Sequence, residues 1–317
     1  MKRNFFKFGL LLSVLTLFMS VFSFVANAEE TKNPGEPIRF GSMNDEEGYI
    51  LGSMMQLLLE RNGFEVEAKV GQLVNNTSLM RTSIQEDQLD LSLDYTGRGL
   101  MFIKDVDQTL YQVDERTAFE TTRDADKENG IIWLTYAPAN NTDSLSVTKE
   151  FSEKNNVESL EDLAKYINDG NEVKVAIQSG YEYYTSAPTT IPGWSEAYGF
   201  EIPESSIITG IADAKTALAQ GTDGINIAGT TTTNGLVKAL ELVILEDPKN
   251  VSPIYSPAPI ASAKILEKYP EIESMFNKMF ESLDEETLIG LNAKLEVEGL
   301  SEMDIAKEYL EENNYFE

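Results

Sequence analysis

Residues 37–70 read PIRFGSMNDEEGYILGSMMQLLLERNGFEVEAKV, and the pattern of that stretch decides the fold class. Pro37-Ile38-Arg39-Phe40 predicts a short strand. Between residues 47 and 61, Ile50, Leu51, Met54, Met55, Leu57 and Leu58 fall on one broad helical face, and Gly63 stands where a helix end favours a left-handed residue. Residues 64–70 then alternate apolar and polar with period two, as a half-buried strand does. A second such unit follows. Residues 77–86 predict a helix, and Leu89-Asp90-Leu91-Ser92-Leu93-Asp94 predicts a strand whose leucines share one face. Strands and helices alternating at these lengths predict an α/β fold with a mainly parallel sheet covered on both sides. In such sheets ligands bind beyond the carboxyl ends of the strands, which directs attention to the loops 41–46, 71–77 and 95–97.

A fresh α/β series begins further on. Residues 131–136 and 145–147 predict strands flanking the segment 137–142. Ser159 with Asp162 forms a capping-box pattern ahead of a helix at 160–167, and 173–177 predicts another strand. A helix at 212–219 ended by Gly221 follows, then strands at 224–228 and 240–245, and the chain closes with helices at 262–269, 270–282, 285–294 and 301–312. Roughly 290 residues exceed a comfortable single core, so two lobes are expected, one of residues 37–140 plus 249–317 and the other of residues 141–248.

The N-terminus has the form of an export signal. Lys2, Arg3 and Lys7 precede an apolar run at 8–25, and Ala26-Asn27-Ala28 offers the small-x-small pattern of a cleavage site. Residues 1–28 are read as a removable signal and 29–36 as a polar linker; an uncleaved membrane anchor is the alternative. With no cysteine for lipid attachment or disulfides, the mature protein is expected to be periplasmic or secreted.

The chain carries 25 basic and 53 acidic residues, a net charge of −28 that becomes −31 once residues 1–28, with three cations and no anion, are removed. Such a surface repels phosphate backbones, so nucleic acid is not an expected partner. The absence of histidine and cysteine removes the usual general base, zinc ligands and every Ser-His or Cys-His arrangement. A secreted hydrolase built on a carboxylate pair is the enzyme alternative left, and nothing marks such a pair. No cofactor and no metal site are expected.

Several motifs then occur in order along nearly the whole mature chain: Gly41-Ser42-Met43-Asn44, Ile50-Leu51-Gly52, Leu89-Asp90-Leu91 running into Asp94-Tyr95-Thr96-Gly97, Asn140-Asn141-Thr142, Pro192-Gly193, Val243-Ile244-Leu245-Glu246-Asp247 and Ala258-Pro259. Together they resemble the osmoprotectant-binding subunits of ABC importers for glycine betaine, carnitine and choline. The resemblance implies a two-lobed periplasmic-binding-protein fold of type II-like form with the ligand cleft between the lobes. It also implies a small-molecule ligand, a membrane permease as partner and a monomer in solution. Family members cage a quaternary ammonium with aromatic rings, each ring face attracting the cation by about 0.5–2 kcal/mol. Tyr95 matches the cage tyrosine and Thr77 a pocket threonine, with Met43 and Asn44 in the first loop. A packing tyrosine at a strand end is the plainer reading of Tyr95.

The departures from the family pattern bear on the ligand. Met43 replaces a lysine and Ala187 an arginine, the two cations expected to grip a betaine carboxylate, so a choline-like solute is favoured over glycine betaine. After Thr142, Asp143 stands where the family has an aromatic residue, and Thr231 opens a polar segment where the family has another. Asp143 beside Tyr95 would suit an ammonium, or would simply cap the crossing between lobes. Tyr181, Tyr183 and Tyr184 form a local aromatic cluster from which a cage wall could be rebuilt, or which packs a core. Trp133 and Trp194 are read as structural. Another polar solute, such as an amino acid, a polyamine or a guanidinium compound, is the second reading of the ligand.

Overall fold

The structure is a computed structural model that describes residues 31–73 and 77–316; the signal, the first two linker residues and part of the loop 71–77 lie outside the described residues. The opening unit folds as its pattern predicts. β1 (Ile38–Met43), α1 (Glu46–Arg61) and β2 (Val66–Leu73) form a right-order crossover in which β1 and β2 run parallel. Asp45 caps α1 by accepting from the Gly48 amide at 2.7 Å, and Gly63 takes φ +84° just past the helix. α2 (Thr77–Gln85) leads into β3 (Leu91–Tyr95), parallel to β1 on its other side.

Two strands depart from the expected parallel series. β4 (Ile131–Trp133) is shorter than predicted, and β10 (Pro257–Ser262) was not predicted at all, yet it is an interior strand of the order β2-β1-β3-β10-β4 and runs antiparallel to β3 and β4. Two prolines in six residues argue against a strand, because proline cannot donate to a ladder. Here the Leu134 and Ala137 amides donate to the carbonyls of Pro259 and Pro257 at 3.0 and 2.9 Å, so the missing donors face a segment that only gives hydrogen bonds. That is also why strand pairing with β4 stops at Ile260.

The second sheet has the order β7-β6-β8-β5-β9. It is built from β5 (Asp143–Thr148), β6 (Val175–Gln178), β7 (Ile207–Ile211), β8 (Ile227–Thr231) and β9 (Leu242–Ile244). β6 is parallel to β7 and β8, whereas β5 is antiparallel to β8 and β9. β7, a half-exposed edge strand containing Gly210, lacks the alternation that would have revealed it. The capping box at Ser159 and Asp162 is present, with both reciprocal hydrogen bonds formed.

Each sheet buries both faces. Phe40, Met54, Leu93, Phe276 and Phe280 join β-strands of the first sheet to α1 and the C-terminal helices, while Met80, Tyr95 and Trp133 fill its other side. In the second sheet Leu145, Ile177, Tyr184 and Trp194 form the main core. Both tryptophans are structural as expected. Trp133 donates to Asp126 at 2.7 Å and Trp194 to Ser252 at 3.0 Å. The chain passes between the sheets at 134–142 and again at 245–256, and the two passages are tied together by Asn141 N to the Tyr255 carbonyl and Tyr255 N to Asn140 Oδ1, both 2.8 Å. Among the described residues no helix is long and apolar enough to cross a membrane.

Candidate functional site

A cavity of about 410 Å³ opens between the two sheets. Helix turns and loops build most of its walls, with two strand ends among them. Asp143 is the first residue of β5 and Thr231 the last of β8, and antiparallel pairing sets them opposite each other although 88 positions separate them. The short helical turn Glu182–Thr185 beyond β6 brings Tyr183 to the same wall, where its hydroxyl donates to Asp143 Oδ1 at 2.7 Å. Tyr181 lines the cavity beside it, the two ring centroids 6.0 Å apart. Tyr184 does not: its ring packs edge-on to Trp194 and its hydroxyl donates to the Thr230 carbonyl.

From the first sheet come the N-terminal turn of α1, with Asp45, Glu46 and Glu47, and Thr77 at the start of α2, whose hydroxyl donates to Asp94 at 3.3 Å. The short helix α3 (Thr96–Leu100) contributes Arg98. Its placement depends on two glycines. A Cβ on Gly97 would lie 2.6 Å from the Ile254 carbonyl oxygen, and one on Gly99 would lie 2.4 Å from the Trp133 ring. Without those side chains α3 seats closely enough to lay the Arg98 guanidinium over the rings of Tyr95 and Tyr255, 4.9 and 5.4 Å from their centroids. Helix Glu285–Glu296 closes the remaining side with Asn292 and Glu296.

Of the nine residues singled out in the sequence, Thr77, Asp143, Tyr181, Tyr183 and Thr231 line the cavity. The other four lie outside its lining. Tyr95 and Met43 are buried behind Arg98, whose Nη1 lies 3.1 Å from the Met43 sulfur. Asn44 lies on an adjoining groove and accepts from the Tyr49 hydroxyl. Thr142 fastens the crossing segments, its amide donating to the Thr232 hydroxyl at 3.0 Å and its own hydroxyl to the Pro253 carbonyl. Sequence reading missed Arg98, Tyr255, Glu47, Asn292 and Glu296. A signal for Arg98 was present, since Gly97 and Gly99 flank it immediately after a strand end. No local pattern marks the others.

Burial dominates the electrostatics. It pushes the carboxyls of Asp45, Asp143 and Glu296 above their ordinary range, and that of Glu47 up to about 7. Arg98 is the single cationic side chain lining the cavity among the described residues, facing Asp45, Glu46, Glu47, Asp143 and Glu296. The arrangement offers a cation-attracting wall of carboxylates and phenols with one guanidinium opposite.

Comparison with known proteins identifies the family. Residues 36–312 match the family model described as the substrate binding domain of ABC-type glycine betaine transport systems. The glycine betaine-binding protein YehZ of Escherichia coli (strain K12) is 35% identical over 285 residues, covering 88% of this chain and 91% of that protein. Its structure, reported as apo YehZ, superposes with a TM-score of 0.69 over 88% of this chain and 99% of that one. A structure titled as a glycine betaine/carnitine/choline ABC transporter reaches a TM-score of 0.71 at 20% identity, over 88% of this chain and 100% of that one, and shows the shared fold. The chain belongs to the family of substrate-binding domains of ABC-type glycine betaine transport systems, two-lobed proteins that bind a solute and are not enzymes.

Proposed function

We propose that the protein is the extracytoplasmic capture subunit of an ABC importer and takes up a small solute with a quaternary-ammonium or similar cationic centre. The observation that carries this reading is the lining of the cavity, in which the phenols of Tyr181 and Tyr183 stand beside the Asp143 carboxylate and acidic groups outnumber the one cation. Ring faces and a carboxylate attract an alkylated ammonium that cannot compete for water. Glycine betaine, named for the Escherichia coli relative, is such a compound.

The remaining parts of the reading follow the family. Residues 1–28 act as a removable signal and 29–36 as a linker. The lobes divide into 37–140 plus 249–317 and 141–248, and the monomer, periplasmic or secreted, delivers its solute to a membrane permease. The membership of β1–β4 and β10 in one sheet and of β5–β9 in the other supports these limits. The order of choline over glycine betaine, expected from Met43 and Ala187, loses its ground because Arg98 supplies a cation that neither of those positions holds. The excess of carboxylates favours a polyamine or guanidinium compound as the second reading. Mass spectrometry of solute retained through purification separates the two, followed by calorimetry with choline, glycine betaine, carnitine and simple amines. A retained or tightly bound quaternary ammonium is expected. Silence from all of these except a polyamine or guanidinium compound would transfer the assignment to that class.

A further inference from the structure

We infer that solute capture is coupled to proton uptake: the Glu47 carboxyl, buried where the two lobes meet, takes up a proton when they close and releases it when they part. The inference rests on the solute capture proposed above and adds a regulation of that same site.

The geometry of the seam carries it. Glu47, in the first turn of α1, is 3% exposed, and its hydrogen-bond donors come from both sides of the cavity. The Tyr95 hydroxyl donates to Oε2 at 3.0 Å and Asn292 Nδ2 to Oε1 at 3.3 Å, both from elements that pack with the first sheet. The third donor, the Thr233 hydroxyl, belongs to the segment that follows β8 of the second sheet. Asn292 spans the same seam, donating also to the Thr233 carbonyl at 2.8 Å. Because Glu47 lines the cavity as well, parting the sheets removes the Thr233 donor and admits water to the carboxylate. Closing them reverses both changes.

The closed seam holds no countercharge for this carboxylate. The ion pairs formed by the described residues do not include Glu47. The titratable and charged groups facing it are Asp45 and Glu46 on its own turn, Asp94 and Tyr95 on β3, Arg98 on α3 and Glu296 on helix Glu285–Glu296. Four of these are carboxylates, and the one guanidinium lies over the rings of Tyr95 and Tyr255. Lost water and like charges both favour the neutral acid, and burial lifts the Glu47 carboxyl to about 7. In the parted state water returns and the group moves back toward its ordinary 4.5. A carboxyl raised in the closed form favours closure fully below about pH 4.5 and loses that contribution as pH rises through about 7. Neighbouring acids do not reproduce the effect. Asp94 accepts from the Thr77 hydroxyl and the Tyr95 amide, and Asp45 from the Gly48 amide, partners that remain with them when the sheets part. Asp143 faces the solute, and a cation beside it favours the ionised form, so its response is proton release.

Calorimetry on the purified protein tests this with glycine betaine and choline, neither of which gains or loses a proton between about pH 5.5 and 8. At about pH 6, titrations in two buffers of different ionisation enthalpy should give an uptake of about one proton per solute bound. Affinity should fall by about tenfold from pH 5.5 to pH 8. Glu47→Gln, which keeps the shape of the neutral acid, should bring the proton number to about zero and flatten the affinity profile, binding more tightly than the wild type at pH 8. A wild type with no uptake and a flat profile would overturn the inference and leave solute capture standing, as would an uptake that survives in Glu47→Gln. Absence of binding by both compounds at every pH would overturn the underlying reading. Small-angle scattering of the solute-free protein then decides the coupling: a larger radius of gyration at pH 8 than at pH 5.5 in the wild type and not in Glu47→Gln sustains it, and equal radii overturn it. Should Glu47→Gln fail to fold, the sign of the wild-type proton number decides, because a cation acting on Asp143 alone releases protons.

Discussion

Glu47 sits in the first turn of α1 with no solvent to speak of around it, and three groups donate to its carboxylate: the Tyr95 hydroxyl at 3.0 Å, Asn292 at 3.3 Å and the Thr233 hydroxyl. Burial outweighs those donors and lifts its pKa from 4.5 to about 7. A carboxyl raised in the folded state holds a proton that the unfolded chain has released, so its stabilising contribution is complete below pH 4.5 and is lost as pH rises to about 7. Wild-type stability should therefore fall relative to Glu47→Gln across that window, by at most about 1.4 kcal/mol per pH unit, one proton's worth. Urea melts of both proteins at pH 4.5, 6 and 8 measure it; parallel pH profiles would show that Glu47 is ionised throughout. At this scale the sequence was a partial guide. It marked Asp143 and Thr231 through departures from a family pattern and Tyr183 through a local cluster of tyrosines, but Glu47 is one of 53 acidic residues and only its surroundings distinguish it.

Arg81 on α2 and Asp126 on helix Glu115–Glu128 form a buried pair, Nη1 to Oδ2 at 2.7 Å, and Trp133 Nε1 of β4 donates to the same carboxylate at 2.7 Å. Three elements thus meet on one side chain. Asp126→Ala leaves the guanidinium buried and uncompensated and should cost about 3–5 kcal/mol of unfolding free energy. Ser159→Ala, which removes the capping box in the other lobe, should cost only about 1 kcal/mol. Neither change touches the cavity, so solute affinity should survive both. Element by element, the units with clear periodicity and caps were legible: β1-α1-β2, α2-β3 and the helix after Ser159. β10 and β7 were not. β10 is held by donors from residues 134 and 137, more than 100 positions away, and no local pattern encodes a strand in which Ile260 is the one large apolar residue among prolines, alanines and a serine.

Across the whole molecule, the segment after β8 grips helix Glu285–Glu296, which packs with α1. Asn234 Nδ2 and Gly235 N donate to the Glu296 carboxylate at 2.8 and 2.7 Å, and Asn292 Nδ2 donates to the Thr233 carbonyl at 2.8 Å. The backbones touch there. A Cβ on Gly235 would lie 2.3 Å from the Ala293 nitrogen and 2.5 Å from the Asn292 carbonyl carbon. Gly235→Ala should push the second sheet away from that helix and weaken solute binding by about 1–3 kcal/mol, the cost of overpacking. Small-angle scattering should record a larger radius of gyration than the wild type's; an unchanged radius with unchanged affinity would mean the contact does not hold the second sheet to that helix. The sequence by itself determined the α/β class, the order of most elements and the lack of any histidine or cysteine chemistry, because periodicity, capping and composition are local properties of the chain; the family was legible only as a resemblance carried by motifs in order. Only the tertiary structure decided that Tyr95 lies beneath Arg98 and that the cavity's acidic wall gathers residues from 45 to 296. Which ring is covered, and which carboxylate loses its water, depends on contacts between segments far apart in the chain, and those exist only once the two sheets are assembled.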